Sequence, residues 1–151
     1  MMIMSTAPLV ADAVATLLTQ RPELHDQGSW MDAVPDPSGN VILTGCAAGH
    51  AAMLAGLVVW NDWDAAGEVG GLTWASDGAP AYCDSERWFL EGRRALGIGD
   101  ELAHELFADD LSREAVIEAL KDIRDAVPED EIADRIVRTY GLLWTRPYTR
   151  H

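Results

Sequence analysis

Residues 44–56 read TGCAAGHAAMLAG, and this stretch decides how the chain packs. Eight of its thirteen residues are Gly or Ala, and most of the others are apolar. On a helix, such small side chains let neighbouring backbones approach to close contact. The pattern predicts a central packing helix from about Cys46 to Val59 with Thr44 as its cap, although Gly56 is a poor helix former.

Cys46 and His50 lie four residues apart, so they would share one face of that helix. As soft ligands they could bind zinc, with Cys83 and either His104 or His25 completing a tetrahedral site. As a thiol and its base they could form a nucleophile, which requires an open and electropositive setting. The chain has no Cys-x-x-Cys pair and its first half is acidic, so we expect core residues instead, with His50 bonded to a carbonyl. We therefore predict no metal, no cofactor and no catalytic residue.

Charge is distributed unevenly along the chain, whose net charge is −14. Eleven acidic residues and a single base, Arg21, precede Arg87, and the other ten bases lie from Arg87 onward. Long-range repulsion argues against a nucleic-acid or anionic-membrane partner for the first half. The longest apolar stretch, residues 46–60, is shorter than the roughly 20 residues that a bilayer span needs. No signal-peptide pattern is present at the start, so we expect a cytoplasmic protein.

The length and composition suit one compact domain, because 151 residues with 48% apolar side chains can bury a sizeable core. Apolar periodicity and capping residues predict further helices at about 7–20, 84–96, 100–108, 112–124 and 129–144. Residues 23–40 are predicted to form a long loop anchored by Trp30. Residues 41–43 read as a short strand or the approach to the next helix, and residues 60–83 as a loop with a short hairpin.

The predicted fold is mostly α, an irregular, orthogonally packed bundle of about five or six helices with a short β-hairpin within residues 41–83. Residues 5–126 are expected to form the core, followed by a C-terminal helix and basic tail at 128–151. The tail Arg146–His151 is opposite in charge to the first half. We expect the last helix to dock on its own domain or, as a homodimer, on a second copy. Its apolar stripe consists of Ile132, Ile136, Tyr140 and Leu143.

Two further patterns are candidates for binding. Four of the six Trp residues lie in or beside irregular segments, where they could form an exposed aromatic patch or hold the loops in place. These four are Trp30, Trp60, Trp63 and Trp74. Packing is the favoured interpretation, because an indole buries a large area. A group of acids could also imitate a row of phosphates, although a charge run is usually a solvated face. This group is Asp100, Glu101, Glu105, Asp109 and Asp110.

Several segments together carry a resemblance to known proteins. Residues 45–56 are preceded by QGSW at 27–30 and followed by ALGIGDELAHELFA at 95–108 and SREAVIEAL at 112–120. This arrangement resembles a group of small uncharacterised proteins encoded by actinobacteria and their bacteriophages. In that group a Cys- and Ala-rich helix with an Ala-Gly-His or Ala-Gly-Trp step precedes an A-L-G-L…LF…V…L tail. The resemblance covers roughly residues 13–126, implies a phage or actinobacterial accessory protein, and carries over no catalytic residue.

The sequence as a whole predicts a small, acidic, non-enzymatic module that binds a protein partner. The resemblance implies a phage-encoded accessory factor that modulates a host protein. Two alternatives stay open. One is an acidic mimic of nucleic acid that inhibits a DNA-binding enzyme, and the other is a zinc- or cysteine-dependent enzyme.

Overall fold

The computed structural model describes residues 6–63, 69–81 and 84–140. Within them the chain forms six α-helices: α1 (Ala7–Gln20), α2 (Ala47–Leu54), α3 (Ser85–Leu96), α4 (Asp100–Leu106), α5 (Arg113–Arg124) and α6 (Glu129–Tyr140). Two antiparallel strand pairs accompany them: β1 (Asp32–Pro35) with β2 (Val41–Thr44), and β3 (Val58–Trp63) with β4 (Val69–Trp74). A short 3-10 turn at Pro22–Leu24 follows α1. The fold is therefore mostly α with short β elements, which confirms the predicted fold class.

The small residues of α2 are packed closely on two sides. A Cβ atom added to Gly49 would clash with the backbone carbonyl of Trp30. On another side, a Cβ on Gly92 of α3 would lie 2.5 Å from the Cβ of Ala48. Four Ala side chains of this helix, Ala47, Ala48, Ala51 and Ala52, have no exposed surface. The prediction of a central packing helix is therefore confirmed.

The predicted start of α2 is confirmed to within one residue, but its predicted cap and its predicted end were wrong. The helix is capped by Cys46 rather than Thr44, which instead ends β2. It stops at Leu54, because Gly56 adopts a left-handed conformation with φ of +75°. The chain then enters β3 at Val58, where β-branched and aromatic residues favour an extended backbone.

The predicted loop at residues 23–40 also contains regular structure. Its second half forms β1, which pairs with β2 from Asp32 opposite Thr44 to Pro35 opposite Val41. The connecting turn is closed by Asp36, whose carboxylate accepts hydrogen bonds from the backbone N–H groups of Ser38 and Asn40, both at 2.9 Å. The sequence reading missed β1 because its Pro and Asp residues resemble those of a loop.

The remaining helix limits follow local signals in the sequence. The Asp84 carboxylate accepts the Arg87 N–H and begins α3, and Gly97 ends that helix with φ of +65°. The Ser112 hydroxyl accepts the Ala115 N–H and begins α5. These limits agree with the prediction, whereas α4 ends at Leu106, two residues before the predicted end.

Buried residues from all six helices form one contiguous core. α5 packs against both α1 and α6. Arg124 near the end of α5 pairs with Asp12 in α1 at 3.0 Å, and Arg113 at its start donates to the carbonyl of Leu18 at 3.1 Å, so α1 and α5 are antiparallel. Within the parts of the chain that the structure describes, no helix combines the length and apolarity needed to cross a membrane.

α6 is docked on the helices of its own chain. Ile132 and Ile136 of its predicted stripe are 1% and 4% exposed. Arg135, beside these two residues on the face toward α5, pairs with Asp122 of α5. The side chain of Tyr140 and all of Leu143 lie outside the described residues. The buried pair favours the first of the two docking arrangements, on the chain's own domain, for the described part of the helix.

Candidate functional site

An open apolar groove of about 300 Å³ lies between the end of α1, the 3-10 turn, β2 and α2. Six apolar side chains line it: Leu17, Leu24, Ile42, Leu43, Met53 and Leu54. Two polar side chains, Arg21 and His50, complete the lining. This set, called the apolar groove below, forms an open concave surface made largely of apolar side chains.

Helix periodicity explains how the groove walls arise. Leu17 lies in the last turn of α1 and Arg21 directly follows that helix, whereas His50 and Leu54 are four residues apart on α2. Residues at this spacing lie one above the other on a helix, so α2 supplies one continuous wall and the end of α1 a second. The third wall comes from β2, which the antiparallel pairing with β1 holds in place.

The carbonyl of Leu24 fastens the 3-10 turn to α2. It accepts the backbone N–H of Gly45 at 3.0 Å and lies 2.7 Å from Nε2 of His50. A carbonyl only accepts, so Nε2 of the neutral imidazole carries the proton and donates it. This arrangement confirms the prediction that His50 is a buried histidine bonded to a carbonyl. His50 therefore positions one wall of the groove.

Burial is the main cause that lowers the pKa of His50. The hydrogen bond to Leu24 opposes this effect, and the nearby His25 adds to it. The His25 ring in turn lies 2.8 Å from Oε1 of Gln27, whose amide donates to the carbonyls of Leu106 and Ala108 at 3.0 and 2.8 Å. Gln27 thus bonds the segment that follows the 3-10 turn to the end of α4.

The rim of the groove exposes apolar surface. Leu54, which lines the groove, is 49% exposed, whereas Val41, which is 50% exposed, does not line it. Large apolar side chains left in water beside a groove are typical of an interaction site. Leu9 and Leu90 are also exposed, but neither lines the groove.

Acidic side chains accompany this apolar surface. Glu23 and Asp26 are exposed on either side of Leu24 in the sequence. Arg21 pairs with Glu23 at 2.5 Å on the surface. Since Arg21 is the single base before Arg87, the groove lies in the strongly acidic half of the chain. Its surroundings favour a partner segment that is apolar and carries basic residues.

The Trp candidates are mainly packing residues. The indole N–H of Trp30 donates to the hydroxyl of Ser85 at 2.9 Å, and its ring is 9% exposed. Trp74 is 1% exposed and lies 4.8 Å from the ring of Trp88. An exposed patch that includes Trp30 and Trp74 is therefore wrong, because both rings belong to the core. Trp60 is partly buried, and the side chain of Trp63 lies outside the described residues.

The thiol and zinc candidates are not brought together by the described structure. Cys46 is 0% exposed, which leaves a substrate no route to its sulfur. Nδ1 of His104 lies 2.8 Å from the carbonyl of Asp100, and its ring packs on Phe89. Cys83 lies outside the described residues. Within residues 6–63, 69–81 and 84–140, no group of three or more His, Cys, Asp or Glu side chains is arranged to hold a metal ion.

The five acids in and after α4 do not all lie on one surface. Asp100 pairs with Arg93 at 3.2 Å and lies 3.4 Å from His104. Glu101 and Glu105 line a wide groove of about 770 Å³ between α4 and α6. Three acids of α6 share this acidic groove: Asp130, Glu131 and Asp134. Asp109 and Asp110 follow the end of α4 and do not line it.

Glu105 is the unusual member of the acidic groove. Among the described residues, its buried Oε2 has no hydrogen-bond partner. Burial raises the pKa of its carboxyl, the neighbouring His104 opposes the shift, and the charge of Glu101 adds to it. Neither groove was anticipated from the sequence, although the exposed Leu54 at the end of an Ala-rich helix is a signal that could have indicated the apolar one. Comparisons with protein-family models, curated proteins and solved structures found no match.

Proposed function

We propose that this chain is a protein-binding module whose apolar groove receives an apolar segment of a partner protein. The observation that carries the proposal is the groove itself, in which six apolar side chains line an open surface and Leu54 remains 49% exposed. Burying apolar surface contributes roughly 25 cal/mol per Å², which supplies the driving force for such binding. An amphipathic helix or extended segment laid into a groove is a common recognition mode.

The charges near the groove define the chemistry of the partner segment. Glu23 and Asp26 are exposed beside Leu24, and the first half of the chain is strongly acidic. Opposite charges on a partner increase the association rate and disfavour acidic competitors. The proposed partner segment therefore combines apolar side chains with Lys or Arg. The resemblance to actinobacterial and phage proteins supports a role as an accessory factor that modulates a host protein.

Capture from a host lysate, followed by titration of the recovered protein, tests the proposal. Leu54→Glu places a charge at the groove rim, whereas the matched variant Leu9→Glu places one at a position that is 71% exposed and outside the groove. Both positions are exposed enough to leave the fold intact, which circular dichroism checks. The wild type and Leu9→Glu should bind the recovered protein equally, and Leu54→Glu should lose most of the binding. Equal binding by all three chains would exclude the groove as the binding site.

The acidic groove supports a second candidate, a mimic of nucleic acid. Five carboxylates from α4 and α6 line one surface there, as a DNA-binding enzyme would require. Competition with DNA for such an enzyme tests this function. The paired variant Glu101→Gln with Glu131→Gln should release the enzyme, and Leu54→Glu should not. Competition that persists in the paired variant would exclude the acidic groove.

A further inference from the structure

One edge of the β1–β2 pair borders the apolar groove. Ile42 and Leu43 are consecutive in β2, so their side chains point to opposite faces of the strand, yet both residues line the groove. A groove that two such neighbours line runs along the edge of their strand. Leu24 lines the groove as well, and its carbonyl accepts the N–H of Gly45, the residue that follows β2. The groove therefore lies at the edge of β2 on which the 3-10 turn packs.

The backbone groups of β2 alternate between its two edges. The N–H of Gly45 donates to the Leu24 carbonyl at 3.0 Å, and its C=O accepts the Asp26 N–H at 2.9 Å. Gly45 therefore directs both groups away from β1. Alternate residues of an antiparallel strand direct their N–H and C=O groups to the same edge, so Leu43 and Val41 also direct theirs away from β1.

The hairpin turn gives the same assignment. The Asp36 N–H donates to the Asn40 carbonyl at 2.7 Å, so these two residues form a hydrogen-bonded pair. The next pair, Pro35 opposite Val41, is then a non-hydrogen-bonded pair, which suits a proline without an N–H. The four backbone N–H and C=O groups of Val41 and Leu43 accordingly have no hydrogen-bond partner among the residues that the structure describes. These groups are called the free edge of β2 below.

The two outer edges of this strand pair differ in their chemistry. On β1 the outward positions are Ala33 and Pro35, and proline removes one donor, as is usual on an edge strand. On β2 the outward positions are Val41 and Leu43, which keep both donors and carry apolar side chains. Val41 is 50% exposed, so its end of the edge is accessible. Of the two, the free edge of β2 is the one that can form a complete ladder with another strand.

An acidic residue lies at each end of the free edge. Asp26 is exposed at one end, where its N–H is bonded to the residue after β2. Asp36 lies at the other end, in the turn that precedes β2. No Lys or Arg occurs from residue 22 to residue 86, and Arg21 is already paired with Glu23. A strand rises about 3.3 Å per residue, so about three or four residues of a partner fit between these ends, with basic residues beside them.

We propose that the partner segment binds as an added β-strand along the free edge of β2, with alternate apolar side chains in the apolar groove and a basic residue toward Asp26 or Asp36. The inference rests on the proposed function and adds a backbone geometry to it. Main-chain hydrogen bonds then supply affinity, and the groove selects the side chains. A helical segment does not satisfy the free edge, because most of its N–H groups are bonded within the helix.

Amide hydrogen exchange of the full-length chain without a partner tests the free edge. The amides of Val41 and Leu43 should exchange at least about tenfold faster than those of Ile42 and Thr44, which are directed toward β1. Equal rates for the two sets would overturn the proposal. Protection of Val41 and Leu43 that appears only at high chain concentration would also overturn it, because a second copy would then occupy the edge.

A library of random linear peptides, selected on the full-length chain, tests the bound state. Selected peptides should carry apolar residues at every second position together with Lys or Arg. At saturation they should slow exchange of the Val41 and Leu43 amides at least about tenfold and leave the Ile42 amide unchanged. Methylation of the peptide nitrogens that face β2 should abolish binding, whereas methylation of the alternate nitrogens should largely preserve it.

Two variants separate failure of this inference from failure of the proposed function. Leu54→Glu alters the groove lining and should lose most of the peptide binding, whereas Leu9→Glu lies outside the groove and should not. Peptides with helical spacing that depend on Leu54 but leave the Val41 and Leu43 amides unprotected would refute strand addition alone. A selection without binders, or with binders that ignore Leu54→Glu, would refute the groove as a binding site and both proposals with it.

Discussion

At the scale of single residues, His50 makes the attachment of the 3-10 turn sensitive to pH. Its Nε2 donates to the Leu24 carbonyl at 2.7 Å, and burial lowers the pKa of the imidazole. The folded chain therefore holds this proton less tightly than the unfolded chain does. The stability contributed by neutral His50 is complete above the ordinary pKa of about 6.5, and it is lost as the pH falls toward the lowered folded value.

We predict that His50→Gln weakens this pH dependence. In the window below about pH 6.5, one such group lowers the free energy of unfolding of the wild type by up to about 1.4 kcal/mol per pH unit. Urea unfolding at several pH values measures the slope, which should be smaller in the variant. His104→Gln is the control, because it keeps His50 and alters a ring that is 30% exposed. Equal slopes for His50→Gln and the wild type would contradict the assignment of this pH dependence to His50.

Ionised Glu105 should destabilise the fold, whereas neutral His50 stabilises it. Its raised pKa means that the folded chain favours the protonated carboxyl, so its ionisation at neutral pH destabilises the fold. We predict that Glu105→Gln increases the free energy of unfolding at pH 7, and that the gain disappears as the pH falls below the folded pKa. Denaturant midpoints at pH 7 and pH 4 measure it. The exposed Glu118→Gln is the control, because Glu118 does not contribute to the shift at Glu105. A loss of stability in Glu105→Gln at pH 7 would show that the carboxylate is needed as a charge.

At the scale of secondary-structure elements, the close packing of α2 requires a residue without a side chain at Gly49. Gly49 lies against the backbone carbonyl of Trp30, and that segment is fixed in turn by the bond from Trp30 to Ser85. A backbone atom cannot rotate away as the end of a flexible side chain can. The helix therefore holds the loop before β1 by close approach of two backbones.

Gly49→Ala should destabilise the protein by about 1–3 kcal/mol through overpacking. Helix propensity alone would favour Ala by up to about 1 kcal/mol, so the sign of the effect distinguishes the two influences. Chemical denaturation measures the change. Gly71→Ala is the matched control, because an added Cβ there meets no atom within 4 Å. A stabilised Gly49→Ala variant would contradict the close contact with Trp30.

At the scale of the whole molecule, α6 completes the core. Ile132 is 1% exposed, and Glu129 at the start of the helix accepts the Gly99 N–H at 2.7 Å, which ties α6 to the turn between α3 and α4. We predict that Ile132→Ala lowers the free energy of unfolding by about 2–5 kcal/mol. Thr139→Ala, on the exposed part of the same helix, should change it little.

Urea unfolding and size-exclusion chromatography of both variants check this prediction. A loss of stability in Ile132→Ala at unchanged particle size would identify α6 as an integral helix of its own chain. A change of particle size without loss of stability would identify it as an arm between two copies. That second result would contradict the docking described above.

Much of the helical framework was predictable because its signals are local. Asp84 and Ser112 accept N–H groups three residues along the chain, and Gly97 ends α3 by its own backbone conformation. The small residues of α2 likewise indicate close packing wherever that helix lies. Such features depend on residues within one or two turns, so the sequence by itself determined them.

Other features depend on segments far apart in the sequence, and only the tertiary structure decided them. β1 exists because it pairs with β2, not because its residues favour a strand. The apolar groove joins Leu17, Leu24, Ile42 and Leu54, and the Leu24 carbonyl positions its walls. Oε2 of Glu105 is buried where this residue lines the groove between α4 and α6. A residue's burial and partners are set by the packing of whole elements, which no local pattern specifies.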